Sequence, residues 1–387
     1  MFAKIFYIFL FFSPLIYLPF FTDPFELPKT LFLFAFISFS ISFLTYKKRT
    51  LSYFINHVKQ SMILKSFLLY LIIMVFCSII GINFFNSLRG QYFRYQGIIT
   101  QTAYLGFFLL AAKNHSFGIK KPLIYRALTY SAITVCILTL LQATAYFFLK
   151  IPIYTFYGRM TALSGNPNFA GGFLALGFIY TYLYFNKKRV TTIILAVAFF
   201  TAIVLTQSRG AFLLFISYIP ILFLYGKVSV KKILFSYALI IIIAAFIFPK
   251  KPLSPFENRT LIWQKGLSAF LARPLTGWGL ENFDSVFQSQ LSDKPYDFNL
   301  KQIRVDKAHN ETLEIAVASG ILGLTAWFFI IFQGFKLLWE RKNKPDGLQN
   351  LLVFSGFLFL SQLNVLNIPQ YLLFYLTLGL ADMKGKG

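Results

Sequence analysis

Val305-Asp306-Lys307-Ala308-His309-Asn310-Glu311-Thr312 runs without a break into an apolar span that continues to about residue 335. It closes the one long polar stretch of the chain, Pro249 to Gly320, in a sequence that is otherwise almost wholly apolar. A histidine at the mouth of an apolar helix, facing a loop with several arginines, is either chemistry or an interfacial polar residue. The side of the membrane it occupies decides which.

That a membrane is involved follows from composition. Of 387 residues, 57% are hydrophobic and only 13% are charged, against about 25% charged in soluble domains. Mean hydropathy is +0.65. Apolar runs long enough to cross about 30 Å of hydrocarbon fall near 5–20, 28–45, 62–82, 97–113, 122–148, 168–185, 189–206, 210–225, 232–249, 309–335, 349–365 and 367–382. The expected fold is an all-α polytopic membrane protein of about twelve transmembrane helices. One large extracytoplasmic loop, containing short helices, interrupts them. The chain then divides into a first set of helices (1–249), the loop (250–308) and a last set (309–387). Lys4 followed by an apolar run resembles a signal peptide, but no small-residue cleavage site follows, so an uncleaved first helix is expected.

The net charge of +24 fits either nucleic acid or the retention of cytoplasmic loops by basic residues. Its distribution selects the second, and no nucleic-acid partner is expected. With the N-terminus inside, basic clusters fall in every second short loop: Lys47-Lys48-Arg49 with Lys59, Lys113 with Lys120-Lys121, Lys187-Lys188-Arg189, Lys227 with Lys231-Lys232, and Arg341-Lys342-Asn343-Lys344. The tail adds Lys384 and Lys386. Both termini are therefore expected in the cytoplasm and residues 250–308 outside it. Cys77 and Cys136 lie within apolar spans and read as packing residues.

The outer loops have their own character. Asn86 to Gly97 mixes Arg89 and Arg94 with aromatics between glycines, and Gly158 to Asn168 is polar and turn-rich around Arg159. Thr206-Gln207-Ser208-Arg209-Gly210 is a tight turn that leaves one arginine at the membrane surface. In the long loop, Asn258 suits an N-cap for a helix to about Leu271. On it Arg259, Trp263 and Gly266 share a face, beside an apolar surface of Leu267, Phe270 and Leu271.

At these motifs the chain resembles the O-antigen ligase and polymerase superfamily. The matching elements are Ser208-Arg209-Gly210-Ala211, Asn258-Arg259 with Trp263, Pro274…Gly277-Trp278-Gly279, and His309-Asn310 followed by Gly320…Gly323. Gly165-Asn166-Pro167-Asn168 and the Arg89–Gly97 loop also fit. The resemblance implies transfer of a glycan from undecaprenyl diphosphate to a sugar hydroxyl on the periplasmic face of a bacterial inner membrane. The acceptor is lipid A–core for a ligase and another lipid-linked repeat for a polymerase; related members glycosylate proteins. The donor's diphosphate already activates it, so the resemblance implies no metal or other cofactor.

Such a transfer needs a base for the attacking hydroxyl and cations for the departing diphosphate. His57 and His115 fall in basic cytoplasmic loops, which leaves His309 as the expected base. If Asp306 caps the following helix, His309 lies in its first turn, where the positive helix end favours neutral imidazole. Arg209 and Arg259 are the expected diphosphate ligands, because guanidinium presents a planar fork to phosphate oxygens. Arg89, Arg94 and Arg159 are open between a substrate groove and surface anchoring, and Lys29 ranks below them. Trp263 either stacks on substrate or belongs to an interfacial belt. Asn310 and Glu314 read as partners of the site. A polysaccharide transporter is the rival from another class, but it would need ionisable groups buried mid-span, where this sequence has almost none.

Overall fold

The structure is a computed structural model and describes residues 1–47, 58, 60–224, 259–291, 305–344 and 346–382. The expected ninth span at 232–249 lies outside the described residues, as do His57, Asn258 and the loop stretch 292–304. So do the basic residues Lys48, Arg49, Lys59, Lys227, Lys231, Lys232, Lys384 and Lys386.

The described residues are helical, with no β-strand among them. In chain order the helices are α1 (Phe2–Phe12), α2 (Glu26–Tyr46), α3 (Met62–Ile79), α4 (Phe84–Arg89), α5 (Ile98–Ala112) and α6 (Lys121–Ala143). Next come α7 (Pro167–Phe185), α8 (Arg189–Thr206), α9 (Arg209–Leu224), α10 (Arg259–Ala272) and α11 (Phe283–Leu291). The last are α12 (Glu311–Glu340), α13 (Gly347–Leu363) and α14 (Ile368–Ala381). Helices α2, α3, α6 with the wider turn that extends it, α8 and α12 are long and apolar enough to cross a membrane. Shorter apolar helices, α1, α5, α9, α13 and α14, stand among them. The first expected span, 5–20, ends early: α1 stops at Phe12, two residues before Pro14, which has no backbone N–H to continue the helical hydrogen bonds.

Helix starts follow the local sequence. Asp23 accepts the backbone N–H groups of Phe25, Glu26 and Leu27 ahead of α2. Asn166 caps α7 with Pro167 as its first residue, and Asn367 with Gln370 forms a capping box on α14. Helices α7 and α14 are buried over almost their whole length and form the centre of the bundle. Small residues let the helices close in. A Cβ on Gly172 would stand 2.1 Å from Gln370 Nε2, and one on Gly177 2.5 Å from Ala132 Cβ.

Helix α12 departs from the single expected span at 309–335. Gly320 has φ 60° and ψ −156°, so the chain is helical to Ser319, breaks, and is helical again from Ile321. A break within a membrane span leaves backbone groups that must find partners, and the Pro274–Gly279 segment supplies them. Trp278 N–H donates to Val317 O (2.9 Å) and Gly279 N–H to Ala318 O (2.9 Å), while Ile321 N–H donates to Pro274 O (2.8 Å). The glycines are needed for this approach: a Cβ on Gly320 would lie 2.4 Å from Leu275 C, and one on Gly277 2.4 Å from Val317 O. The motif is a splint that holds the short first half of α12 in place. That half carries the polar turn before it.

Candidate active site

The ends of α2, α5, α7, α9, α10, α12 and α14 that start with polar turns meet at one end of the bundle, and nearly all the singled-out residues lie there. His309 is half-buried and has a left-handed backbone, φ 53°, which an L-residue adopts only when its surroundings hold it there. The holding groups are on both sides. Ala308 N–H donates to Glu314 Oε2 (2.8 Å), and Ala308 O accepts from Trp263 Nε1 (3.0 Å). Asn310 Oδ1 accepts from Leu313 N–H (2.9 Å), and its Nδ2 donates to Gln362 O (3.2 Å). Asn310, not Asp306, is therefore the N-cap of α12, and His309 precedes the helix instead of lying in its first turn. The left-handed residue cannot be helical, and the extended Asn310 brings its own side chain to the cap.

The imidazole is nonetheless kept neutral. Burial first, then the charges of Arg94 and Arg259, push the His309 pKa down to about 4, with Asp306 opposing. Behind the turn, Lys307 Nζ pairs with Glu281 and with Glu314 (3.1 Å), all three side chains buried. Burial disfavours the ammonium, but the two carboxylates outweigh it and hold Lys307 charged. Glu281 also accepts from Gln91 N–H (2.9 Å), which ties in the 89–97 loop. Glu311 accepts from Tyr371 Oη (2.9 Å). A cavity of about 40 Å³ bounded by His309, Glu281, Lys307, Glu311, Glu314 and Asn364 lies here. It has room for roughly two or three water molecules, so any larger group has to meet His309 from the open side.

The arginines divide. Arg259, the first residue of α10, donates through Nη2 to Asn364 Oδ1 (3.0 Å). The same Asn364 bounds the His309 cavity and packs so close to Gly210 that a Cβ there would be 2.7 Å from its Nδ2. Asn364 thus joins the start of α10, the start of α9 and the histidine. Arg209 opens α9, exposed, with no hydrogen bond or ion pair among the described residues. Arg94 donates to Asp306 through Nε and lies 5.4 Å over the Phe169 ring. Burial opposes the Asp306 charge, but Arg94 outweighs it and holds the carboxyl below its ordinary range.

Other candidates are struts. Arg159 is buried and donates to Thr206 O (3.1 Å), Gln207 O (3.3 Å) and Asn168 Oδ1 (3.2 Å), gripping the turn ahead of Arg209 from behind. Lys29, 1% exposed, gives its ammonium to Phe25 O (3.0 Å), Glu26 Oε1 (3.0 Å) and Leu163 O (3.2 Å). An ammonium has three donors, so none remains for phosphate. Arg89 is exposed at the end of α4, 5.9 Å from the Phe85 ring, and no contact brings it to His309.

On α10 the expected face is the one that packs. Arg259 reaches Asn364, Trp263 reaches Ala308, and Gly266 leaves space that Leu313 fills at 2.9 Å from a notional Cβ. Leu267 and Leu271 stay exposed beside it. Sequence reasoning passed over Asn364, Gln362, Glu281 and Tyr371. Asn364-Val365-Leu366-Asn367 is a polar turn between two apolar spans, which was the available signal; nothing local marks Glu281.

Comparison with known proteins agrees with the motifs. Residues 193–328, about a third of the chain, match the family model described as O-Antigen ligase. The match takes in Arg209, Arg259, the Pro274–Gly279 splint, His309 and the Gly320 break, and leaves Arg94, Arg159 and Asn364 outside it. No curated protein matches the chain. Over residues 193–328 the chain is similar to the O-antigen ligase family, whose members are glycosyltransferase-like enzymes acting on lipid-linked glycans.

Proposed function

We propose that the protein is an O-antigen ligase that moves a glycan from undecaprenyl diphosphate to a sugar hydroxyl of lipid A–core. It works at the periplasmic face of a bacterial inner membrane, with both termini in the cytoplasm and residues 250–308 on the periplasmic side. His309 accepts the proton of the acceptor hydroxyl as that oxygen bonds to the anomeric carbon. The bond from the anomeric carbon to the diphosphate oxygen breaks, and undecaprenyl diphosphate leaves with the bonding pair. A single direct displacement inverts the anomeric centre. Arg209 and Arg259 take the phosphate oxygens, and no metal is needed because guanidinium forks neutralise the leaving group.

The observation that carries this reading is the Asn364 junction. It links Arg259, the Arg209 turn and the His309 cavity, which supports a single site for the proposed phosphate ligands and base. Neutral His309 has the protonation state a base requires. The test is gene deletion followed by electrophoresis of the cell's glycolipids. Loss of all capped lipid A–core, with lipid-linked polymer accumulating, is the expected result. Single-repeat caps instead would make the protein a polymerase, and unchanged glycolipids with an under-glycosylated protein would make it a protein glycosyltransferase. Loss of lipid-linked glycan from the outer leaflet would point to a transporter.

A further inference from the structure

Asp306 joins two parts of the site that have opposite needs. It accepts a hydrogen bond from Arg94 Nε, and so fastens the 89–97 loop to the His309 turn. The Arg94 side chain is 14% exposed and that of Asp306 31%, so the pair is reachable from outside. A carboxylate on that guanidinium competes with any phosphate for the same donors, and the two anions repel each other at contact distance. An arginine beside a diphosphate site that is already occupied by a carboxylate is thus a cation in reserve.

On its other side Asp306 is three residues from His309, and the main chain between them is fixed. Lys307 is pinned between Glu281 and Glu314, and Ala308 is bonded through both its N–H and its carbonyl. Only the two side chains are left free to rearrange. Of the charges that act on the His309 ring, Asp306 favours the imidazolium while Arg94 and Arg259 oppose it. Arg94 therefore both occupies Asp306 and opposes the charge of the His309 ring.

We propose that Asp306 changes partners during the reaction. It holds Arg94 until the donor arrives and then yields that guanidinium to the donor's diphosphate. It then faces the His309 imidazolium that forms when the acceptor hydroxyl gives up its proton. Asp306 touches no substrate and is a positioning residue. The inference rests on the glycan-transfer reading above and adds to it the step by which donor binding readies the base.

The test uses the full-length protein in detergent or nanodiscs with Asp306→Asn, which keeps the size and one acceptor oxygen. Undecaprenyl diphosphate is the binding probe and turnover is read with a lipid-linked glycan. The expected result is binding about two- to fivefold tighter, the scale of one half-exposed ion pair removed, together with kcat lower by about tenfold or more. Asp306→Glu, which restores the charge, should recover most of kcat, and Arg94→Gln should weaken binding. An Asp306→Asn protein that binds no tighter than wild type, or that keeps wild-type kcat, overturns the exchange and leaves the glycan-transfer reading intact. Weaker binding together with slower turnover also overturns it, since a mere brace of the loop behaves so. A wild-type protein that binds no polyprenyl diphosphate removes the reading and the inference together.

Discussion

Two turns at the same end of the bundle, Thr206–Gly210 and Val305–Asn310, solve one problem in different ways. Each enters a helix through a left-handed residue that is not glycine, Gln207 (φ 52°) in one and His309 (φ 53°) in the other. Each is gripped from behind by a buried charged side chain: Arg159 on the carbonyls of Thr206 and Gln207, Glu314 on the N–H of Ala308. The difference lies in what the turn presents. The first sets out Arg209 exposed on the opening residue of α9. The second carries His309 on the left-handed residue itself, half-buried, where burial and two arginines keep it neutral. The clamping Arg159 and Glu314 are buried and hydrogen-bonded, whereas Arg209, the proposed ligand of the first turn, is exposed.

The sharpest way to break that contrast is to remove the group each turn presents. His309→Ala should lower transfer by about 10²–10⁴-fold, the range for a lost general base, with unchanged donor binding and thermal midpoint. Near wild-type transfer from a properly inserted variant would end the assignment of the base. Arg209→Ala should instead weaken undecaprenyl diphosphate binding by roughly 10–100-fold, equivalent to about 1.5–3 kcal/mol for hydrogen bonds to a charged group. Unaltered affinity would show that Arg209 does not hold phosphate.

Removing the clamp should look different from removing the ligand. Arg159→Lys keeps a positive charge but loses the fork that reaches three acceptors at once. It should lower the thermal midpoint and weaken donor binding together, each by less than Arg209→Ala does for binding. A variant that lost donor affinity with no change in midpoint would move Arg159 from clamp to ligand.

The two turns also differ in how much of them the sequence reveals. Apolar runs mark the helices, because a span must be apolar on every side, and each expected segment with described residues contains a helix, although α1 stops at Phe12 and α12 breaks at Gly320. Ser208-Arg209-Gly210 and His309-Asn310 stand out as polar residues at span ends. Hidden were the relations that only folding creates. The break at Gly320 looks like one residue in an apolar run, since the partners for its freed backbone come from Pro274–Gly279, some 40 residues earlier. From sequence Arg159 stays open between a substrate groove and surface anchoring, and Lys29 ranks below it, because their carbonyl partners at Leu163, Thr206 and Gln207 are ordinary backbone groups that sequence cannot distinguish. Asn364 gains its role only when α9, α10 and α13 meet.

The pH dependence of transfer gives a finer test of the second turn. His309 must be neutral to accept a proton, and in the free protein its pKa is pushed down to about 4, by burial first and then by Arg94 and Arg259 against Asp306. The active form is therefore present above that pH and lost below it. The value of kcat/KM, which reports the free protein, should be flat from about pH 8 to about pH 5 with respect to His309 and fall tenfold per unit only in stronger acid. An acid limb near pH 6.5, the ordinary histidine value, would mean that the ring is solvated and that the clamped turn does not set its charge.

The smallest effect is expected at Arg89, which separates this end's machinery from its surface. Its guanidinium is exposed over the Phe85 ring, and none of its contacts reaches the His309 turn or Asn364. Arg94, five residues on, is drawn inward by Asp306 and Phe169. Arg89→Ala should thus leave donor affinity and kcat within about twofold of wild type, as surface substitutions away from special features do, while Arg94→Gln weakens donor binding. Equal losses at both positions would show that the 89–97 loop binds substrate along its whole length, and the distinction between presented and clamped cations would then have to be redrawn to include Arg89 among the presented ones.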